Sequence, residues 1–200
     1  MASNSLKSEL FGQVAREYFS VTAADCLVDF HKLNGGITRR DKFLWLTRNF
    51  APEKSWEGDQ KSLTEELCNL FGDRFQAQLR HLPLIPGVKI FLESLPRDSK
   101  KYIVTGGDTN ETLEILTLNG MLQFFDGVYG GPISKTENML TVAGLRENFA
   151  QRAIAFGDSE LDFELAEKHD MDFVFVSGHS EWRTGHNVCS ASLVDFKGSV

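Results

Sequence analysis

Residues 153–166 read AIAFGDSELDFELA, a short apolar run followed by a polar turn and then a pattern typical of a helix. An apolar run that passes through Gly157 into a helix predicts a buried strand with a strand-to-helix connection. Units of this kind build α/β folds. The stretch therefore favours an α/β fold for the region around it.

Two other stretches have the same organisation, KKYIVTGG at 100–107 and DFVFVSG at 172–178. Strands that alternate with helices predict a parallel, Rossmann-like sheet with helices on both faces. Ligands of such sheets bind beyond the carboxyl ends of the strands. We therefore expect one crevice to be surrounded by the residues at these ends, which are Thr105, Asp158, and Ser177 or Gly178.

The first 82 residues have a different pattern. Their apolar residues recur at helical spacing, which predicts helices, and Ser62 followed by Glu65 fits a capping box. LNGGITRR at 33–40 has the paired glycines and polar residues of a loop. The sequence thus predicts two domains, an all-helical one over residues 1–82 and an α/β core over residues 83–200.

Composition excludes several classes of protein. The chain has 200 residues, 42% hydrophobic and 24% charged, with a formal net charge of -7, so long-range attraction to nucleic acid or anionic membrane is not expected. No apolar run approaches the roughly 20 residues that span a bilayer, and the first ten residues lack the features of a signal peptide. Three widely spaced cysteines indicate neither a disulfide framework nor a zinc site. We expect a cytoplasmic protein without nucleic-acid or membrane partners.

Two carboxylates lie four residues apart where the strand in 153–166 ends. Asp158 follows the strand, and Asp162 lies in the first turn of the predicted helix. Both can face one cation that prefers hard oxygen ligands, as Mg²⁺ does. The competing interpretation is a helix cap, in which Ser159 or Asp158 caps the helix and the helix dipole favours Asp162. These residues by themselves leave both interpretations open.

A candidate anion site lies in YIVTGGDTNETLEIL at 102–116, where the apolar run ends in Thr105, Gly106 and Gly107. A hydroxyl beside glycine N–H groups forms a small nest whose donors converge on a phosphoryl oxygen. An ordinary strand-to-helix turn is the competing interpretation.

A lysine lies between these two segments. Lys135 is part of GGPISKTENM at 130–139, after a predicted strand around Val128. A single lysine in a loop is usually a solvated charge. Its order between the Thr105 and Asp158 segments is what makes it a candidate.

The three segments resemble the second, third and fourth motifs of the haloacid dehalogenase (HAD) superfamily. Those motifs are, in chain order, a threonine at a strand end, a lysine, and an acidic pair in a Gly-Asp-x-x-x-Asp setting. The resemblance covers residues 84–178. It implies a HAD-like parallel sheet and a hydrolase that depends on Mg²⁺, most often a phosphatase of a small phosphorylated metabolite.

The resemblance also implies roles for individual residues. Thr105, with the glycines after it, would bind the transferring phosphoryl group. Lys135 would balance charge between nucleophile and phosphate. Asp158 would be a ligand of Mg²⁺, and Asp162 would support either the metal site or Lys135.

The helical region resembles the cap that many members of this superfamily insert after their first strand. The Gly-Gly-x-x-Arg stretch of such caps is present as Gly35, Gly36 and Arg39, which implies a substrate contact for Arg39. Arg39, Arg40 and Lys42 would bring positive charge toward an anionic substrate, although a basic cluster at a helix start is usually solvated.

One feature of the superfamily is missing from the pattern. Its members open with a strand ending in Asp-x-Asp, whose first aspartate attacks phosphorus and whose second is the general acid and base. The start MASNSLKSEL resembles the stretch after that motif, while Asp29 and Asp195 follow apolar residues without a second aspartate two positions later. We expect either that the recorded start is too late or that the protein is not catalytic.

Three functions remain to be compared. The leading hypothesis is a Mg²⁺-dependent phosphatase that acts through a phospho-aspartyl intermediate, with the nucleophile segment missing from this chain. The second is a catalytically inactive HAD-fold module that binds phosphate or a partner protein. The third, a serine esterase built on Ser159, requires a histidine base nearby and leaves Thr105 and Lys135 without a role. The candidate histidines are His169, His179 and His186.

Overall fold

A computed structural model of the chain describes residues 3–145 and 152–198. In these ranges the helices are α1 (Asn4–Ala15), α2 (Val21–Leu33), α3 (Arg39–Asn49), α4 (Gln60–Gln78), α5 (Val88–Ser94), α6 (Thr109–Leu118), α7 (Lys135–Gly144), α8 (Glu160–Lys168) and α9 (Gly185–Val188). The strands are β1 (Tyr102–Asp108), β2 (Gly127–Gly131), β3 (Ile154–Gly157), β4 (Asp172–Val176) and β5 (Ser192–Leu193). The predicted α/β fold is confirmed. None of the described helices is long and apolar enough to cross a membrane.

All strand pairs in the described ranges are parallel, as the alternation of strands and helices predicts. β1 pairs with β2, with Tyr102 opposite Gly127. β3 pairs with β4, with Ile154 opposite Asp172, and β4 pairs with the short β5. The strands therefore form two sheets, one of two strands and one of three.

Strand β1 runs further than its sequence suggested. It continues past Thr105 to Asp108, and its register with β2 shifts between Val104 and Asp108. The expectation that Thr105 ends the strand is therefore wrong in detail, because Thr105 lies in an irregular part of it.

The helical region packs around its own hydrophobic cluster, to which α1, α2, α3 and α4 all contribute. The predicted loop at 33–40 connects α2 to α3. Asp59 caps α4, since its side chain accepts a hydrogen bond from the backbone N–H of Ser62 at 2.7 Å. The expected capping box at Ser62 and Glu65 is therefore wrong, because the helix begins at Gln60 and Ser62 already lies inside it.

The two sheets are separated by a gap. In the described ranges β1 pairs only with β2, and β3 pairs only with β4, so each has one edge without a partner strand. Residues 102–107 and 153–158 line a single cavity of about 1150 Å³ that continues under the helical region. Parallel strands are normally buried on both faces, but Ile154 is 58% exposed and Phe156 40%. The gap leaves apolar surface and backbone hydrogen-bonding groups uncovered.

Helix α5 bridges the two sheets. Leu92 on this helix clusters with Ile103 of β1. Phe91, one residue earlier, contacts Phe156 of β3 and Phe196 near the end of the chain, with ring centroids 5.4 and 4.8 Å away. The sheets are thus held together by helix packing and an aromatic cluster.

An apolar strand supplied to the gap is expected to stabilise the protein. The side chain of Asn4 contacts Asp158 at the carboxyl end of the gap, so a strand of about six residues that ends in Asp-x-Asp is fused ahead of Met1. Burying three aliphatic side chains contributes several kcal/mol at about 1.5–3 kcal/mol each. For a chain of this size the melting temperature should rise on the order of 10 °C.

The control is the same extension with serine in place of the apolar residues of the added strand. Thermal melts followed by circular dichroism compare the two proteins. Equal, cooperative melts would show that the gap does not accept a strand.

Candidate functional site

A buried ion pair between two helices lies at the centre of the candidate site. Lys135 is the first residue of α7, and its Nζ lies 2.5 Å from Oδ1 of Asp162 in the first turn of α8. The two side chains are only 8% and 11% exposed. Helix α7 contacts β1 and β2, whereas α8 contacts β3 and β4. Lys135 is therefore a buried link between the two sheets and not a solvated loop lysine.

The second oxygen of Asp162 is also occupied. It accepts hydrogen bonds from the backbone N–H and the hydroxyl of Ser159, at 3.1 and 2.6 Å, while the Ser159 hydroxyl accepts from the N–H of Asp162. This is a capping box at the start of α8. Metal binding by Asp162 stays a prediction, but its contacts favour the other role considered for it, the support of Lys135.

Asp158 follows β3 and lines the cavity in a half-buried position. Its Oδ2 accepts a hydrogen bond from Nδ2 of Asn4 at 2.9 Å, and the same Nδ2 donates to the backbone oxygen of His179. Within residues 3–145 and 152–198, no group of three or more His, Cys, Asp or Glu side chains is arranged to hold a metal. Any cation at this position would therefore need ligands beyond the Asp158 carboxylate, such as phosphate oxygens or water.

The Thr105 segment lines the same cavity, together with Gly106 and Gly107. The hydroxyl oxygen of Thr105 accepts a hydrogen bond from the N–H of Gly107 at 3.0 Å. One donor of the predicted nest is therefore already paired, while the Thr105 hydroxyl keeps its own hydrogen for another acceptor.

A loop of the helical region closes over both strand ends. Gly36 has a φ of +88°, and a Cβ added to Gly106 would clash with its carbonyl oxygen. A Cβ added to Gly35 would lie 2.8 Å from the Cβ of Ser159. Glycine is required where backbones approach this closely. The paired glycines thus bring the helical region into contact with the ends of β1 and β3.

Arg39, the predicted substrate contact, also lines the cavity. Its Nη2 lies 2.7 and 2.5 Å from the two carboxylate oxygens of Glu111, and its guanidinium carbon lies 4.5 Å from the ring centre of Phe71. The charge of Arg39 is therefore matched within the protein. A contact with substrate remains a prediction.

Three further polar side chains line the cavity from the helical side, Lys7, His31 and Lys42. Nζ of Lys42 lies 2.7 Å from Nδ1 of His31, and both residues are buried. Burial, followed by the positive charge of Lys7, lowers the pKa of Lys42 to about 7. Burial lowers the pKa of His31 to about 2, so its ring is neutral, and burial lowers the pKa of Lys7 as well.

Of the polar residues on the helical side of the cavity, only Lys42 was predicted from the sequence, as a source of positive charge. Lys7 and His31 were not predicted, and neither was Asn4, which contacts Asp158. Helical spacing places Lys7 and Phe11 on one face of α1. Nothing in the spacing indicates what that face meets.

The contacts of Ser159 bear on the esterase hypothesis. Its hydroxyl donates to Asp162 and accepts from the N–H of the same residue, and Ser159 is 6% exposed. A nucleophilic serine needs a histidine in hydrogen-bonding reach. The hydroxyl is already used to cap α8, which does not favour this hypothesis.

The sequence profile of the haloacid dehalogenase-like hydrolase family matches residues 43–176. This range contains Thr105, Lys135, Asp158 and Asp162. No curated protein sequence matches the chain at a significant level.

Solved structures share the fold at low sequence identity. A candidate phosphoglycolate phosphatase from Lactobacillus plantarum is 16% identical with a TM-score of 0.71, over 98% of this chain and 89% of that one. CbbY from Rhodobacter sphaeroides in complex with phosphate is 12% identical with a TM-score of 0.75, over 98% and 89%. The candidate HAD-hydrolase YfnB from Bacillus subtilis, bound to magnesium, is 16% identical with a TM-score of 0.58, over 98% and 88%.

Breaking the central ion pair from either side should destabilise the protein. Lys135→Met and Asp162→Asn each leave the partner's charge buried without compensation, which costs about 3–5 kcal/mol. The double variant should lose less than the sum of the two single variants, because neither charge is then left alone. Urea denaturation measures the four free energies of unfolding of this cycle.

The exposed pair between Lys61 and Glu65 on α4, with an Nζ–Oε1 distance of 4.0 Å, is the matched control. Its cycle should give a coupling of at most about 1 kcal/mol. Additive effects at Lys135 and Asp162 would show that the two charges are not energetically coupled.

The lowered pKa of Lys42 predicts a pH dependence of stability. The pKa falls from 10.5 to about 7 on folding, so the burial cost of the ammonium group is complete below pH 7 and disappears as the pH rises toward 10.5. Lys7 and Lys135 add to this lowering, while Glu181 and Asp41 oppose it. The melting temperature of the unchanged protein minus that of Lys42→Met should therefore increase as the pH rises from about 7 to 10.5.

The control is Lys61→Met, which removes an exposed lysine from another helix. The difference in melting temperature between this variant and the unchanged protein should stay constant over the same pH range. A pH-independent difference for Lys42→Met would show that the ammonium group of Lys42 titrates normally in the folded protein.

Proposed function

Because the chain belongs to the haloacid dehalogenase-like hydrolase family, we propose that its cavity is the site of a Mg²⁺-dependent phosphatase that acts on a small phosphorylated metabolite. The observation that carries the proposal is the buried contact between Lys135 and Asp162, in the same cavity as Thr105 and Asp158. A lysine fixed in this way offers a positive charge of defined position to a phosphoryl group.

Thr105 and Lys135 are proposed to bind the phosphoryl oxygens. The Thr105 hydroxyl donates a hydrogen bond, and the Lys135 ammonium group has donors left beyond the one directed at Asp162. Because Lys135 is the first residue of α7, the helix N-terminus adds its own partial positive charge. Both groups stabilise the charge that develops on the oxygens during phosphoryl transfer, with little rearrangement.

Asp158 is proposed to be the protein ligand of Mg²⁺. Magnesium is commonly held by one or two carboxylates together with substrate phosphate oxygens and water, and the half-buried Asp158 carboxylate fits the first part of such a set. The bound ion would offset negative charge on the phosphoryl oxygens. The magnesium in the YfnB structure and the phosphate in the CbbY structure support this proposal by analogy of fold.

The attacking carboxylate is proposed to come from a strand in the gap between β1 and β3. By the family resemblance, an aspartate attacks phosphorus in line, a phospho-aspartyl enzyme forms, and water then hydrolyses it. A parallel strand in this gap would end between Thr105 and Asp158, which follow or lie within its two neighbours. None of the five strands in the described ranges ends in Asp-x-Asp.

Residues 1–82 are proposed to act as the cap domain over this core, with residues 83–200 as the α/β core. The loop containing Gly35 and Gly36 touches the ends of β1 and β3, and Arg39 is fixed across the boundary by Glu111 of α6. These contacts support a cap that encloses the substrate.

The 200-residue protein is expected to bind inorganic phosphate in the presence of Mg²⁺ but to show no Mg²⁺-dependent phosphatase turnover above a blank. Thr105→Val and Asp158→Asn should weaken phosphate binding about tenfold or more, because the first removes a hydrogen-bond donor to the phosphate and the second removes the charged ligand of the Mg²⁺ that binds with it. Asp25→Asn, which removes an exposed carboxylate on α2, should not. Isothermal titration calorimetry and a colorimetric phosphate assay measure the two properties.

The fusion protein with an added Asp-x-Asp strand separates the phosphatase from the inactive alternative. Turnover that appears together with the rise in melting temperature supports the phosphatase. A stabilised fusion that binds phosphate without turnover would favour the inactive phosphate-binding module. Absence of phosphate binding, or robust turnover by the 200-residue protein itself, would overturn the proposal as stated.

A further inference from the structure

Two ammonium groups on the helical side of the cavity have no matching carboxylate. Among the described residues, neither Lys7 nor Lys42 forms an ion pair, whereas Arg39 and Lys135 each do. Lys42 is buried and Lys7 is half-buried, and a charge removed from water without a partner is costly. The carboxylate that acts most strongly on Lys7 is Asp158, the proposed metal ligand. When Asp158 holds a cation, Lys7 loses that compensation.

A buried imidazole nitrogen in the same group also lacks a hydrogen bond. Because Lys42 donates to Nδ1 of His31, the neutral ring carries its hydrogen on Nε2. That Nε2 has no hydrogen-bond partner among the described residues, although His31 is 5% exposed. Oε2 of Glu181 lies 3.7 Å from this nitrogen, beyond hydrogen-bonding distance, while Oε1 of the same carboxylate accepts a hydrogen bond from Ser8. His31 therefore offers a further donor at the cavity wall.

Aromatic rings surround these donors. The Nζ of Lys42 lies 5.4 Å from the ring centre of Phe11, and the Nζ of Lys7 lies 6.0 Å from that of Phe75. The rings attract the cations weakly and exclude water from them. In such surroundings an anionic group gains more from each charge-assisted hydrogen bond than it does in water.

We propose that Lys7, Lys42 and His31 form a second anion subsite, so that the substrate is a small phosphate monoester with a second anionic group away from the transferred phosphoryl group. This inference rests on the proposed function, since Thr105 and Lys135 would hold the phosphoryl group in the same cavity. The second group is a carboxylate or a second phosphate. Neutral or cationic tails fit the subsite poorly, because they leave the two ammonium groups unpaired.

The test measures, by calorimetry with Mg²⁺ present, the binding of inorganic phosphate and of three esters with the same two-carbon skeleton. These are 2-hydroxyethyl phosphate, phosphoglycolate and 1,2-ethanediol bisphosphate. We expect at least one doubly anionic ester to bind about tenfold or more tightly than the hydroxyethyl ester, which corresponds to one charge-assisted hydrogen bond. Lys42→Met and Lys7→Met should each reduce that ratio toward one.

Lys61→Met is the matched control and should keep the ratio. Thermal melts verify that each variant is folded, and Lys42→Met should melt no lower than the unchanged protein, because it removes an uncompensated buried charge. Tighter binding of phosphoglycolate alone identifies a carboxylate subsite, while equal gains for both esters identify a general anion subsite.

Two results would overturn the inference while leaving the proposed function intact. One is phosphate binding with equal affinities for the three esters. The other is a preference that survives in both lysine variants. Failure to bind phosphate at all would instead remove the proposed function, and the subsite with it.

Discussion

The contact between Lys135 and Asp162 is the constraint on which the site depends. It joins a helix packed on the first sheet to a helix packed on the second, and it is the only ion pair among the described residues that does so. Buried ion pairs add little net stability, because desolvation offsets most of the attraction, but breaking one is costly. The pair therefore acts mainly on geometry, since it fixes the distance between β1, which contains Thr105, and the end of β3, which Asp158 follows.

The same ion pair also offsets the unfavourable position of Lys135 at the start of α7. A lysine at the first position of a helix opposes the helix dipole. Ser134 and Glu137 form a capping box there, and Asp162 neutralises the ammonium group from the neighbouring helix. The capping box pairs the backbone N–H groups of Ser134 and Glu137, and the partial positive charge of the helix N-terminus remains. This is a favourable environment for an anion.

The hydrophobic residues of the described ranges pack in three separate clusters. Hydrophobic clusters form separately around the helical region, around β1 with β2, and around β3 with β4, whereas a compact domain usually has one continuous core. The gap between β1 and β3 separates the last two clusters, and the cavity runs from this gap to Lys42 and His31. Lys135 and Arg39 form ion pairs in this cavity, whereas Lys7 and Lys42 on its helical side form none among the described residues.

Local sequence patterns predict the α/β fold class and the order in which the site residues occur along the chain. Apolar runs that end in Thr105-Gly106-Gly107 and Gly157-Asp158 specify strand-to-helix units through local physics, and these units fix where polar residues emerge. The pairing of charges across the site follows from how the helices and strands pack in the folded protein. The contact of Asp162 with Lys135 and that of Arg39 with Glu111 join residues far apart in the chain. The contact between His31 and Lys42 joins two different helices, whereas that of Asp162 with Ser159 is local, within one capping box. Periodicity specifies which face of a helix is buried, but it carries no information on the partner, because pairing energies depend on distance and burial in the folded protein.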